Sequence, residues 1–252
     1  MELQEILKKI QETNLNHTFT SWSPTLQKDV VMTGLTNGHQ QTFVQNLLNS
    51  PYVNSPFIIS LAQAIGECWQ DSDPFDPSKL TILDKAYFMI SLWANSYNNP
   101  KTQEIRSQKL NQFEHPEDII ISNKNYKFIL NYPSILKEAQ FADFTHKWTN
   151  ENLKAENPES LTNLRSMFYL LEPLVYVKNM TISDMELDMS QITVEDQMPI
   201  VKGIPMDVIQ EITNVVEKKF NPLLDKARTV SINKEETVLK LNNTDFIITN
   251  QE

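Results

Sequence analysis

Apolar residues recur at steps of three and four through much of the chain, which is the spacing of an amphipathic helix. In "PFIISLAQAIGECW", four-residue steps bring Phe57, Leu61, Ile65 and Trp69 onto one face. Other stripes at helical spacing are Leu3, Ile6, Leu7 and Ile10; Phe43, Leu47 and Leu48; Leu83, Tyr87, Ile90 and Ala94; Phe141, Phe144 and Trp148; and Leu161, Leu164, Phe168 and Leu171. These stripes predict a mainly helical protein.

The stretch "SWSPTLQKDVVMTG" predicts the start of a further helix. Ser23 precedes Pro24 as an N-cap residue precedes the first helical position, where a missing proline N–H costs little. The predicted helix runs from Pro24 to about Met32 and ends at Gly34. Residues 1–100 are therefore expected to be all helical.

The pattern changes after about Lys101, where short runs rich in Ile, Phe and Tyr alternate with polar turn residues. The runs "IRSQKLNQFEH", "DIIISN" and "NYKFILNYPS" predict strands of a small antiparallel sheet. Ile119 and Ile121 are expected on one face of that sheet, and Ile120 on the other. "LVYVKNMTIS" is a further strand candidate.

The C-terminal region combines helices with a hairpin. "ITVEDQMPIVKGIPMDVIQEITNVVEKKFNPLLDKA" predicts two helical stretches that are broken between Gly203 and Pro205. "TVSINKEETVLKLNNTDFII" alternates about residues 233–236 as a β-hairpin does. Because an isolated hairpin is marginally stable in water, we expect this one to pack against the 205–226 helix.

Together these patterns predict an α+β fold, predominantly helical, with a small antiparallel sheet in the middle and a C-terminal β-hairpin. The expected division is a helical N-terminal lobe over residues 1–102, a mixed strand and helix lobe over 103–182, and a helix and hairpin lobe over 183–252. One compact domain is the alternative, since 252 residues suffice for a single large core.

The charge balance narrows the classes of partner. The chain has 22 basic and 32 acidic residues, a formal charge of −10, and no dense basic cluster. This balance repels phosphate backbones, so we expect no nucleic-acid partner. Polar residues interrupt every long apolar run, so we expect no membrane span. Cys68 is the single cysteine, which excludes an internal disulfide and indicates a buried structural thiol.

No motif for catalysis, cofactor binding or metal binding stands out. The four histidines occupy separate segments without metal-ligand spacing, and four glycines are too few for a phosphate-binding loop. Asp184, Glu186 and Asp188 could offer three carboxylates to a cation, but the glycine of a calcium-binding loop is missing where Met189 stands. An exposed acidic segment is the favoured interpretation. We therefore predict no catalytic residue, no cofactor and no metal ligand.

Four segments, in this order, resemble the baseplate hub assembly proteins of T-even-type contractile-tailed bacteriophages. The first two are "WSPTLQKDVVMTGL" and "LTILDKAYFMISLWANSY", and "LNYPSI" matches a tyrosine–proline pair of the family's middle region. The last is "MSQITVEDQMPIVKGIPMDVIQEITNVVEKKFNPLL" with the closing stretch "TVSINKEETVLKLNNTDFII". The segments cover roughly half of the chain.

The resemblance implies a non-enzymatic protein that assists assembly of the tail baseplate hub, as a chaperone or as a minor hub component. Its partners would be other phage tail or hub proteins, in a homo- or hetero-oligomer. It would act in the host cytoplasm during assembly or remain in the baseplate of the virion. Many members of the family carry cysteine pairs that look like zinc sites, and this chain has no counterpart to them.

The C-terminal lobe offers the strongest candidate for a partner-binding surface. Its apolar residues exceed what one hairpin is expected to cover: Ile209, Ile212, Val216, Phe220 and Phe246. In the opening segment, Gln27, Lys28 and Asp29 are expected on the polar face of the predicted helix. The alternative from another functional class is a small soluble enzyme whose site is not visible in the sequence.

Overall fold

The computed structural model describes Glu5 and residues 17–49, 54–123, 125–152, 162, 166 and 171–247. Its helices are α1 (Asn37–Asn49), α2 (Ser55–Cys68), α3 (Ile82–Ser96), α4 (Pro100–Arg106), α5 (Ile135–Asn152), α6 (Val194–Gly203), α7 (Met206–Val215) and α8 (Asn221–Ala227). Its strands are β1 (Thr18–Ser23), β2 (Lys28–Thr33), β3 (Ile119–Asn123), β4 (Tyr126–Leu130), β5 (Val177–Ile182), β6 (Met185–Asp188), β7 (Thr229–Ile232) and β8 (Glu235–Val238). The predicted fold class is confirmed.

Helix α3 lies at the centre of the molecule. Every residue from Ile82 to Ala94 is buried, including the polar Asp84, Lys85 and Ser91. A helix that is buried on all sides must be surrounded by other elements. Here β1, α4, α5 and α8 pack around it.

The prediction of a helix from Pro24 to Met32 is wrong. Strands β1 and β2 form an antiparallel hairpin there, with Thr18 opposite Thr33 and Ser23 opposite Lys28. Residues 24–27 form the connecting turn, in which Gln27 has a φ of 54°. The first hundred residues are therefore not all helical, and residues 27–29 do not share a helix face.

The inward face of this hairpin explains why the sequence pattern was misleading. Ser21 and Ser23 are buried, with exposed fractions of 3% and 0%, and they point at α3 rather than at solvent. Ser91 of α3 donates a hydrogen bond to Ser21 Oγ over 2.9 Å. Because polar residues occupy core-facing positions, the alternation of apolar and polar residues typical of a half-buried strand is hidden in β1.

The middle sheet has the strand order β3-β4-β5-β6, and all neighbouring strands are antiparallel. Ile121 is buried while Ile120 is 60% exposed, which confirms the predicted opposite faces. The strand predicted in "IRSQKLNQFEH" is absent. Ile105 and Arg106 end α4 instead, and residues 107–118 form neither helix nor strand.

Helices α7 and α8 are joined by a π-helical turn, Val216–Phe220. The break that was predicted between Gly203 and Pro205 separates α6 from α7. Strands β7 and β8 form the predicted C-terminal hairpin. Its two turn residues, Asn233 and Lys234, have φ values of 54° and 67°, as a two-residue hairpin turn requires.

The hairpin packs mainly against α4, not against the 205–226 helix as predicted. Gln108, just beyond α4, accepts a hydrogen bond from Ser231 N through its Oε1 over 2.8 Å and donates to Ser231 O through its Nε2. Glu104 Oε1 accepts from Asn233 N over 2.8 Å. The backbone hydrogen-bonding groups of β7 are thus satisfied by side chains of the α4 region, which fixes the hairpin there.

Replacing Gln108 by alanine is expected to loosen this hairpin. The substitution leaves both backbone groups of Ser231 without a protein partner, which costs about 1–3 kcal/mol for a half-buried group. Amide hydrogen exchange should accelerate at Ser231 and not in α3. Gln112→Ala is the matched control, because Gln112 is exposed and its side chain donates a hydrogen bond to the side chain of Asp29, outside the C-terminal hairpin. Equal exchange in both variants would contradict the docking described above.

Buried side chains from all three predicted lobes belong to one continuous hydrophobic cluster, which extends from Val30 to Phe246. Two predicted helices, over residues 1–15 and over 159–172, lie almost entirely outside the described residues.

Candidate functional site

The structure places the predicted partner-contact residues in the core. Their exposed fractions are 2% for Ile209, 0% for Ile212, 8% for Val216, 1% for Phe220 and 0% for Phe246. These residues were expected to offer more apolar surface than one hairpin can cover, but other segments cover them, so their side chains do not form an exposed partner surface. Rings from distant segments cover them: Tyr132 and Tyr176 pack on Phe220, with ring centroids 4.9 and 5.2 Å away.

Asp84, near the start of α3, is the point at which two of the resembling segments meet. Its carboxylate is fully buried and accepts five hydrogen bonds, from Ser23 Oγ, Thr25 N, Thr25 Oγ1, Thr81 N and Thr81 Oγ1. Ser23 and Thr25 belong to "WSPT" and Thr81 and Asp84 to "LTILD". The carboxylate satisfies polar groups of both the β1–β2 turn and the start of α3.

The tyrosine–proline pair joins the same assembly from a third segment. Pro133 O accepts a hydrogen bond from Ile82 N over 3.0 Å, and Ile135 N donates to Leu80 O over 2.8 Å. Tyr132 Oη donates to Phe220 O over 2.6 Å. The segment "LNYPSI" therefore links the start of α3 to the π-helical turn of the C-terminal region.

The closing segment contacts the other end of α3. A short 3₁₀ helix, Asn243–Phe246, places the Phe246 ring against Phe43 and Phe57, at centroid distances of 5.7 and 5.5 Å. Trp93 Nε1 donates to Asp245 O over 2.9 Å, and Tyr97 Oη donates to Phe246 O over 2.5 Å. All of the resembling segments thus share contacts with α3 or with one another.

A polar cavity of about 410 Å³ opens beside the Asp84 cluster. It lies between the start of α5, β5, the end of β6 and the loop before β3. Lysines, hydroxyls, amides and one carboxylate line it. Among the lining residues are Lys79, Ser134, Lys137, Lys178 and Asp188. The volume is within the range of small-molecule sites in proteins, about 300–1,000 Å³.

Lys137 is the most perturbed cation of this cavity. Its Nζ donates to Val177 O over 2.8 Å. Burial lowers the pKa of Lys137 to about 8, while the nearby Asp188 acts in the opposite direction. Hydrogen bonds from Ser190, together with the charges of Lys137 and Lys178, lower the pKa of Asp188, so its carboxylate stays ionised.

His115 also lines the cavity, from the loop before β3. Its Nδ1 lies 2.9 Å from Pro116 O, and a neutral ring therefore donates from Nδ1. Its Nε2 is buried and has no hydrogen-bond partner among the described residues.

Sequence reasoning missed Asp84 and Lys137, although both left a signal. Asp84 follows Thr81 by three residues ahead of an apolar run, which is the spacing of a capping box. Lys137 falls four residues before Phe141 and so extends the apolar stripe of α5. A lysine on an apolar stripe indicates a buried cation that needs a partner.

An apolar groove of about 580 Å³ lies on another face, between α2 and α5. Ile59, Ala62, Phe75 and Leu136 line it. The Phe75 ring lies so close to α2 that a Cβ at Gly66 would stand 2.9 Å from Phe75 Cδ1. Glycine at this position therefore allows the ring to pack on the helix.

The acidic triplet that was weighed as a cation site lies on and beside β6. Asp188 accepts hydrogen bonds from Ser190 N and Oγ, and Glu186 accepts from Asn179. Among the described residues, no three His, Cys, Asp or Glu side chains group as metal ligands would. Within the same part of the chain, no helix combines the length and apolarity needed to cross a membrane.

Cys68 is buried in α2, and its Sγ lies 3.6 Å from Gly34 O. Burial raises the pKa of the thiol to about 11. Since thiolates are the reactive species, a rise from 9.0 to about 11 lowers the reactive fraction about 100-fold near pH 8.

Cys68 is therefore expected to resist thiol reagents in the native chain. Labelling by a chromogenic disulfide at pH 8 should be slower than in the denatured chain by on the order of 100-fold or more. A native rate close to the denatured rate would show that Cys68 is accessible and would contradict the placement of α2.

No protein-family model, curated protein or solved structure matches the chain.

Proposed function

We propose that the chain is a non-enzymatic assembly protein of a contractile phage tail, a chaperone or minor component of the baseplate hub. The order of the resembling segments supports this proposal. So does the absence from the sequence of the motifs that nucleotide-dependent and metal-dependent catalysis require.

The observation that carries the proposal is the convergence of the resembling segments around α3. Here "WSPT" and "LTILD" share the Asp84 carboxylate, and Tyr132 of "LNYPSI" bonds Phe220 of the C-terminal segment. These contacts join the matched residues into one structural framework around α3, which is consistent with the proposal.

The departure from the family at the zinc-like cysteine pairs fits the same framework. A structural zinc stabilises small elements by about 10 kcal/mol or more. In this chain the C-terminal segment is fixed by apolar packing and side-chain hydrogen bonds instead. Phe246 packs on Phe43 and Phe57, and Gln108 holds Ser231.

A reconstitution experiment tests the proposal. Purified hub proteins of a T-even-type phage that encodes a close relative of this chain should assemble into hub complexes faster, or in higher yield, when the chain is added. Analytical sedimentation measures the complexes. The control is a variant that cannot fold, Phe220→Asp, which should add nothing. Equal assembly with and without the native chain would refute the proposal.

Mass spectrometry of purified virions then separates the two forms of the proposal. A minor hub component stays in the tail baseplate of the particle, whereas a chaperone stays behind in the host cytoplasm. A peptide signal in stoichiometric amount assigns the first role.

A small enzyme is the second candidate, and one observation favours it. The polar cavity holds Lys137, whose pKa is lowered to about 8. Lysines of lowered pKa serve as bases or nucleophiles in many enzymes. The single carboxylate in the cavity lining, Asp188, has a lowered pKa and so is poorly suited to donate a proton.

A further inference from the structure

Two of the three lysines that line the polar cavity form ion pairs. Lys79 Nζ lies 3.2 Å from Asp76, and Lys178 Nζ lies 3.0 Å from Asp118. Lys137 has no carboxylate within ion-pair distance among the described residues. Its one protein partner there is the carbonyl oxygen of Val177. Two of its three ammonium protons are thus left for a ligand or for water.

Lys137 is half-buried, and Asp188, which lies beyond ion-pair distance, offsets the cost of its burial only in part. Desolvation of a charged group is compensated by an opposite charge or by a full set of hydrogen bonds, and one carbonyl supplies neither. The lowered pKa of Lys137 expresses the same deficit. A ligand that brings a negative charge to Lys137 Nζ would supply the missing ion-pair partner.

The hydroxyl of Ser134 lies at the same place, at the start of α5. Its oxygen accepts a hydrogen bond from Lys137 N over 3.1 Å, and its proton has no acceptor among the described residues. Ser134 and Lys137 both line the cavity. They offer a planar acid one charged donor and one neutral donor.

We propose that this cavity binds a small carboxylic acid, with Lys137 as the counter-ion of its carboxylate and Ser134 as a second donor. The inference does not depend on the proposed function, because it concerns binding alone. The cavity is large enough to hold a body beyond the carboxylate, and Asn131 and Asn179 line it as polar side chains.

The charge of Asp188 favours a monoanion over a phosphate. Asp188 lines the cavity and stays ionised. A phosphate monoester carries a charge of about −1.5 to −2 at pH 7, more than the one unpaired ammonium can balance. A carboxylate carries a single charge, which matches that ammonium.

Titration with sodium acetate, followed by amide NMR spectra at constant ionic strength in sodium chloride, tests the inference. Acetate should cause saturable shifts at Lys137, Val177 and Lys178. Lys137→Met should abolish them and stay folded, because methionine keeps the stem and removes the buried charge. Lys147→Met is the matched control, since Lys147 is 63% exposed, pairs with Asp143 and does not line the cavity; it should bind acetate as the native chain does.

Three results would overturn the inference. Shifts that grow linearly with acetate and never saturate would show no site. Equal saturation in Lys137→Met would place the site elsewhere. Tighter saturation by inorganic phosphate than by acetate would assign the cavity to another class of anion. Each result leaves the reconstitution of hub assembly unaffected, so the two proposals fail separately.

Discussion

Replacing Asp84 by alanine is expected to lower the free energy of unfolding by about 3 kcal/mol or more. The substitution removes the acceptor of five hydrogen bonds at a fully buried position. Each buried donor left without a partner costs about 1–3 kcal/mol, and water from the neighbouring cavity can replace only part of the loss. Urea denaturation followed by tryptophan fluorescence measures the change.

Asp73→Ala is the matched control for Asp84. Asp73 is also a carboxylate with a hydrogen-bonding partner, Lys28 at 2.8 Å, but its side chain is 72% exposed. An exposed ion pair contributes less than about 1 kcal/mol, so this variant should unfold almost as the native chain does. If the two variants lost equal stability, Asp84 would not be the junction between the hairpin and α3.

Phe220→Asp is expected to prevent folding. Phe220 is 1% exposed and packs between Tyr132 and Tyr176. Loss of a buried phenylalanine costs about 3–5 kcal/mol, and an unpaired carboxylate in the same space adds several more. The sum reaches the whole stability of a typical domain, about 5–15 kcal/mol. Far-UV circular dichroism and the loss of a cooperative unfolding transition are the measurements.

Met206→Asp is the control for Phe220→Asp. Met206 lies in the first turn of α7 and is 62% exposed, so an aspartate there meets solvent and the positive end of the helix dipole. This variant should fold normally. A folded Phe220→Asp chain with native stability would mean that the Phe220 ring is free for a partner, as the sequence first indicated.

Much of the helical architecture could be predicted from the sequence, because the stripes on α2 and α3 are long and regular. Phe57, Leu61 and Ile65 are all buried, as the four-residue spacing required. The C-terminal hairpin was also predicted, with its turn placed over residues 233–236, whereas Asn233 and Lys234 alone form the turn and Glu235 begins β8.

The first hairpin could not be predicted in the same way. Ser-Pro-Thr is a plausible helix start by local chemistry, and the competing strand signal in β1 was hidden by its buried serines. Those serines are stable inside because Asp84 and Ser91 of α3 pair with them. That pairing spans about sixty residues and exists only in the folded chain.

The polar cavity lies beyond sequence reasoning for a similar reason. Its charged residues come from α5, β5 and β6, and each is unremarkable in its own segment. Only the fold shows that Lys178 already has Asp118 as its partner while Lys137 has none among the described residues. The spacing of residues along the sequence does not show which lysines form ion pairs in the fold.

The docking of residues 243–246 between α1, α2 and the end of α3 has a consequence for biosynthesis. The ribosome makes Phe43 and Phe57 long before Phe246, the ring that completes their cluster. Until Phe246 emerges, the nascent polypeptide exposes the apolar surface that this ring covers in the fold. A premature stop codon before Asn242 should therefore yield an aggregation-prone, protease-sensitive product, even though it encodes α1 to α8.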